Sequence, residues 1–156
     1  MARKDYYHVP NAPKPNALVP AVSAIIADGE GKILLQRRRD NEFWALPGGK
    51  VELEESVAQA IIREVEEETG LRVKVIRLVG VYSDPEHIIE YSNGEIRRQF
   101  SLSLACSIES GSLLVSEESY EVKFFSVDDL KNINVHPAQL VRIKDYLANS
   151  EIAFIR

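Results

Sequence analysis

Gly49-Lys50-Val51-Glu52-Leu53-Glu54-Glu55-Ser56, running on into Val57-Ala58-Gln59-Ala60-Ile61-Ile62-Arg63-Glu64-Val65-Glu66-Glu67-Glu68-Thr69-Gly70-Leu71, decides how this chain is read. Ser56 and Gln59 form a capping-box pattern that starts a helix, and Gly70 is a natural left-handed cap that ends it. At roughly 100° per residue, Val57, Ala58, Ile61, Ile62 and Val65 share one broad apolar sector facing a core. Glu64 and Glu68 lie at the edge of that sector, Glu67 just beyond it, and Glu66 points away. Four glutamates thus fall within five residues at the helix C-terminus. That end carries partial negative charge, so each acid there costs about 0.3–1 kcal/mol. Like charges at i,i+3 and i,i+4 add a few tenths more. The arrangement calls for a cation among Glu64, Glu67 and Glu68.

On the N-terminal side, Arg39 to Val51 is a loop containing Pro47-Gly48-Gly49, a backbone that can approach a ligand closely. Ala21 to Ala27 and Lys32 to Arg38 are expected strands, and the Asp28-Gly29-Glu30-Gly31 turn between them suggests a hairpin. Residues 1–17, with Pro10, Pro13 and Pro15, are expected to form an extended arm whose Tyr6 and Tyr7 pack along the domain or across a partner subunit. On the C-terminal side, Val73 to Tyr82 is a strand followed by a loop to about Gly94. From Ile96 onward the sequence alternates. Phe100, Leu102, Leu104 and Cys106 share one face with Ile96, and Arg97, Gln99, Ser101 and Ser103 share the other. Val122 to Ser126 is a short strand. Pro137 suits a first helical position, with Leu140, Ile143 and Leu147 as the core-facing stripe. This order predicts one mixed α/β domain over residues 18–148 and a short tail over 149–156.

The chain has 156 residues, of which 45% are hydrophobic, enough for one domain with a real core. A net charge of −5 and the lack of a long basic run argue against a nucleic-acid polymer as partner. A small nucleotide held locally by arginines and a metal remains compatible with that charge. A single cysteine, no run of 18 apolar residues and no apolar N-terminal segment predict a cytoplasmic protein without a membrane partner.

Glutamates beside an open glycine loop suit Mg²⁺, which takes oxygen ligands and keeps several waters. Zinc is disfavoured, since His8, His87 and His136 are far apart in sequence. Arg37, Arg38 and Arg39 end a strand just before the loop, where guanidinium groups could fork onto phosphate oxygens. Trp44 is a candidate platform for a base, although packing is its commoner use. His87 and Tyr91, in the loop after Tyr82, are candidates for reaching a base or sugar.

The whole spacing coincides with one pattern. Gly49, five residues, Glu55, seven residues, Arg63-Glu64, an apolar residue, any residue, Glu67-Glu68, any residue, Gly70, an apolar residue: over 23 residues this resembles the Nudix box without a departure. The preceding Trp44-Ala45-Leu46-Pro47-Gly48-Gly49 is similar to the usual approach to that box. The resemblance implies an α/β/α sandwich around a mixed β-sheet. It also implies a Mg²⁺-dependent hydrolase, with Mn²⁺ as a possible substitute, in which Glu64, Glu67 and Glu68 bind the ions and Gly49 contributes a backbone oxygen. Glu55 and Arg63 match the pair that orients those glutamates, and Arg38 matches a position that contacts substrate phosphate in some members. A further glutamate from outside the box is expected; Glu118 is the candidate, with Glu121 and Glu117 as alternatives.

The expected reaction is water attack on one phosphorus of a nucleoside diphosphate joined to another group. Cleavage of oxidised nucleoside triphosphates is the main alternative. A non-hydrolytic nucleotide-binding module, or an isomerase needing a reactive cysteine, follows at a distance. A homodimer is expected from the proline-rich arm and from the frequency of two-fold pairing.

Overall fold

The alternating run becomes the spine of the protein. In a computed structural model, which describes residues 2–156, it forms a 16-residue strand, Ile96–Gly111. In chain order the elements are β1 (Arg3–Tyr7), β2 (Ala17–Ile26), β3 (Ile33–Arg38), β4 (Trp44–Ala45), β5 (Gly48–Lys50), α1 (Val57–Thr69), β6 (Leu71–Tyr82), β7 (His87–Tyr91), β8 (Ile96–Gly111), β9 (Ser119–Phe125), a 3-10 turn (Asp128–Asn132), α2 (Pro137–Leu147) and β10 (Phe154–Ile155). One edge of β8 carries β2 in parallel, from Ala17 opposite Arg97 to Ile26 opposite Cys106. The other edge is shared by antiparallel β7 near its start and antiparallel β6 along the rest. β5 extends the sheet beyond β2, β1 beyond β7, and β10 beyond β6, giving seven strands of mixed direction. A second, antiparallel sheet runs β4-β3-β9.

The pleat of β2 and β8 separates two cores. Val22, Ala24 and Ile26 of β2 and Leu104 and Cys106 of β8 pack with Ala60, Ile61 and Val65 of α1. Ile25 and Ala105, on the opposite faces, pack with Leu35, Phe125 and Ile143 of β3, β9 and α2. A side-chain period of two makes this division, because neighbouring residues must point to opposite layers. The result is the α/β/α sandwich with a mixed sheet expected from the sequence.

α1 has the expected ends. Ser56 accepts from the Gln59 backbone while Gln59 accepts from Ser56 N, and Gly70 caps the helix at φ 77°. A Cβ at Gly70 would lie 2.5 Å from the Ser112 carbonyl oxygen. Gly70→Ala is therefore expected to destabilise the fold by about 1–2 kcal/mol or more from the left-handed backbone alone. A urea midpoint equal to that of the wild type would contradict this.

Three sequence expectations change. β2 and β3 do not form a hairpin; they lie in different sheets, with an isolated bridge from Ala27, just past β2, to Ile33 of β3. The Asp28 carboxylate, accepting from the Glu30 and Lys32 backbones at 2.9 Å, turns the chain from one sheet to the other. The loop after Tyr82 contains strand β7, whose His87, Ile88 and Ile89 are buried against the edge of β8. In α2, Leu140 and Leu147 are exposed, and the buried positions are Ala138, Arg142, Ile143 and Asp145. This polar face is tolerated because Asp145 accepts from Tyr82 Oη at 2.9 Å and is paired with Arg156. The N-terminal arm takes one of its two expected courses, lying extended along the domain as an edge strand of its own chain's sheet, with Tyr6 Oη donating to Glu90 at 2.7 Å. Among the described residues, no helix is long and apolar enough to cross a membrane.

Candidate active site

Two glycines let the loop before α1 lie flat. A Cβ at Gly48 would run into the Val22 carbonyl, and one at Gly49 would collide with the Glu64 carboxylate. With no side chain at either, β5 pairs with β2 and passes directly beneath the C-terminal half of α1.

Arg63 ties the carboxylates together. Its Nε and Nη2 donate to the two oxygens of Glu55 at 2.9 and 2.5 Å, and its Nη1 donates to Glu64 Oε1 at 2.9 Å and Glu67 Oε2 at 3.2 Å. Nη2 also reaches the Lys50 carbonyl at 3.2 Å. The Arg63 hydrogen bond, aided by the Glu52 backbone amide, holds Glu55 down to about 2. Glu55 is therefore a fixed anion whose task is to hold the guanidinium.

The three remaining acids sit at graded depth. Glu68 is buried, accepting from the Gly48 amide at 3.1 Å and from Gln36 Nε2. Gln36 is itself held by Ser119 Oγ at 2.7 Å. Burial pushes Glu68 up to about 8, against the opposing charge of Arg38. Burial also raises Glu64, with Glu67 and Glu118 adding to the effect and Arg63 resisting it. Glu67 is open to solvent on the outer rim. Burial thus disfavours the charged forms of Glu64 and Glu68, while Glu67 is held at the exposed rim by Arg63; all three offer oxygen atoms, the ligand type that a hard divalent cation takes.

A cavity of about 350 Å³ opens at Gly48, Gly49, Glu64, Glu68 and Glu118 and runs towards β1, β7 and α2. Several residues singled out in the sequence line it. Arg38 does, though its guanidinium forks onto Asp40 at 2.9 and 2.8 Å. Glu118 lies on the wall in the field of Glu64 and Arg38, and His87 and Tyr91 lie further along. Two others stand elsewhere. Arg37 pairs with Glu121 at 3.0 Å and lies over the Tyr120 ring. Trp44 is buried edge-on to Phe125 at 4.7 Å, so it is a packing residue of the second core.

The sequence did not single out Arg3, Asp5, His136 or Arg142, which also line the cavity. They come from the arm and from α2, and no spacing links them to the box. Gln99 and Ser101 do carry a sequence signal: they belong to the polar face of β8, and that face is the cavity wall.

Residues 17–146 match the family model described as the NUDIX domain. An ADP-ribose pyrophosphatase of Methanocaldococcus jannaschii is 36% identical over 139 residues, covering 83% of this chain and 75% of that protein. An RNA pyrophosphohydrolase of Hydrogenovibrio crunogenus is 35% identical over 78 residues, covering 46% of this chain and 47% of that protein. Among solved structures, an ADP-ribose pyrophosphatase from Streptococcus suis superposes with a TM-score of 0.67 at 26% identity, covering 88% of this chain and 98% of that one.

Proposed function

This chain belongs to the NUDIX family, and on that premise we propose that it hydrolyses the P–O–P link of a nucleoside diphosphate joined to another group. The observation that carries the reading is the Arg63 clamp, which ties Glu55, Glu64 and Glu67 together beside a cavity lined by Glu64 and the buried Glu68. Glu64, Glu67 and Glu68, with the Gly49 carbonyl, would hold Mg²⁺ or Mn²⁺. A bound ion would polarise phosphoryl oxygens and offset charge on the leaving group.

The protein's own groups supply the rest. Arg63 and Glu55 fix the orientation of the acids before substrate arrives. Gln36 and the Gly48 amide hold Glu68 on the floor. Glu118, on the cavity wall, would take a proton from an attacking water, and Arg38, on the same wall, would set positive charge against the phosphates. Cys106 takes no part: it is buried, and burial pushes its thiol up to about 12. That removes the motive for the isomerase reading. The names of the M. jannaschii and S. suis relatives support a diphosphate-linked substrate.

A panel of ADP-ribose, nucleotide sugars, dinucleotides and oxidised nucleoside triphosphates, incubated with Mg²⁺, tests the proposal. The expected result is orthophosphate that appears only after added phosphatase, from a diphosphate-linked compound. Pyrophosphate released from a triphosphate would move the chain to the sanitising class. No product with either Mg²⁺ or Mn²⁺ would overturn both.

A further inference from the structure

The far end of the cavity holds polar atoms that the fold leaves unsatisfied. Among the described residues, His87 Nε2, Gln99 Oε1 and Arg142 Nε are buried with no hydrogen-bond partner. All three residues line the catalytic cavity, and all three also line a second pocket that shares this wall with it. A buried polar atom left without a partner keeps the full cost of its lost hydration, so three in one place point to a ligand that satisfies them. Arg142 is the strongest case, since burial pulls it down to about 10 and no carboxylate is paired with it.

The other groups here fix the hydrogen-bond pattern. His136 Nδ1 accepts from the Ala138 amide at 3.2 Å, so the proton of the neutral ring sits on Nε2. His87 Nε2 stands 3.8 Å from Asp5 Oδ1, too far to bond, yet close enough for the carboxylate to favour a proton on that nitrogen. The two rings stack at 5.4 Å with 16° between planes, and Tyr7 meets both edge-on at 5.3 and 5.7 Å. The unsatisfied set is therefore two donors, Arg142 and His87, and one acceptor, Gln99, in an aromatic surround.

Asp5, His87 and His136 also bring ligand atoms within 4.8 Å of one another, as a metal site would. The chemistry is against it. The His136 lone pair is committed to the backbone, and Arg3 and Arg142 place positive charge beside the cluster.

We propose that this end of the cavity is the subsite for the nucleobase of the substrate, taking a flat ring edge that offers two acceptors to Arg142 and His87 and one donor to Gln99. The inference rests on the hydrolase reading above for the identity of the ligand. It assigns selectivity partly to β1, which supplies Asp5 and Tyr7 and lies outside the matched residues 17–146. Sugar hydroxyls could also fill donor and acceptor positions, but the stacked and edge-on rings favour a planar group.

The test uses binding, which needs no turnover. AMP, GMP, CMP, UMP and base-less ribose 5-phosphate are titrated calorimetrically into the full chain, and into Gln99→Leu and His87→Phe. The wild type is expected to bind at least one nucleotide about tenfold or more tighter than ribose 5-phosphate, and both variants to bring that ratio close to one. His87→Phe keeps the ring packing, so it serves if Gln99→Leu fails to fold. Equal binding of ribose 5-phosphate and all four nucleotides by the wild type would overturn the proposal, as would an unchanged preference in the variants. Tight uptake of Zn²⁺ alone, lost in His87→Phe, would overturn it in favour of a metal centre. Base-selective binding without any hydrolysis would fail only the hydrolase reading; hydrolysis without base preference would fail only this one.

Discussion

Glu67→Gln is expected to lower kcat about 10²–10³-fold, with the melting temperature unchanged within about 1 °C. The two readouts separate because Glu67 is on the surface. Its side chain is 61% exposed, and among the described residues its hydrogen bond is the 3.2 Å one from Arg63. A surface pair at i,i+4 contributes about 0.3–0.5 kcal/mol at most. If Glu67 were an ordinary solvated helix residue, the substitution would therefore change almost nothing. As a ligand to a divalent ion it removes a full negative charge from the donor set, and the expected loss corresponds to about 3–4 kcal/mol of transition-state stabilisation. Glu64 and Glu68 are poorer tests, since their half-buried and buried carboxylates also hold Arg63 and Gln36 in place. Steady-state rates at saturating Mg²⁺, beside a thermal melt, decide the matter; wild-type turnover would refute the assigned role.

The acids at the end of α1 raise the question of what offsets their charge. Part of the answer lies within the protein. Arg63 contacts Glu64 and Glu67, and Arg72 comes within 3.9 Å of Glu66. Neither group reaches Glu68, which is buried and raised to about 8. Arg63 already serves Glu55 in addition, so a single guanidinium cannot neutralise the remaining acids. The acids whose charged forms burial disfavours are Glu64, which shares Arg63 with Glu55 and Glu67, and Glu68; they are also the two box glutamates that line the cavity.

What could be read from the sequence was local. Ser56, Gln59 and Gly70 mark the ends of α1 because capping is settled within a few residues. The alternation of β8 shows for the same reason, since pleating depends only on neighbouring positions. Sheet membership is not local: β2 and β3 have sequences that suit a hairpin, and only packing of Ile25 and Leu35 in one core, and Val22 and Leu34 in the other, shows that they cross between layers. The candidate site divides in the same way. The box glutamates and glycines of the site lie within one loop and one helix, where spacing carries information. Its far end joins Asp5, His87, Gln99 and Arg142 from four separate elements. Nothing in the composition of α2 distinguishes the buried Arg142 from a solvated arginine; its burial depends on the position of Tyr82, whose ring lies 5.2 Å from the guanidinium.

Arg63→Lys is expected to weaken the apparent affinity for Mg²⁺ about 10–100-fold, and to lower kcat at subsaturating metal by a similar factor. Charge is conserved, so a purely electrostatic role would leave the metal dependence nearly intact. Geometry is lost. The guanidinium makes two bonds to Glu55 and one each to Glu64, Glu67 and the Lys50 carbonyl. An ammonium is a single flexible point charge and cannot span those directions together. Glu64 and Glu67 would then sample several rotamers, and each ion bound would have to order them again. Glu55→Gln should move in the same direction by a smaller amount, because it loosens the clamp while Arg63 still reaches Glu64 and Glu67. The measurement is activity against Mg²⁺ concentration for the three proteins. Superimposable curves would show that the clamp holds α1 to its loop and does nothing for the metal; curves displaced in the order wild type, Glu55→Gln, Arg63→Lys would show that pre-set carboxylates are what make the site.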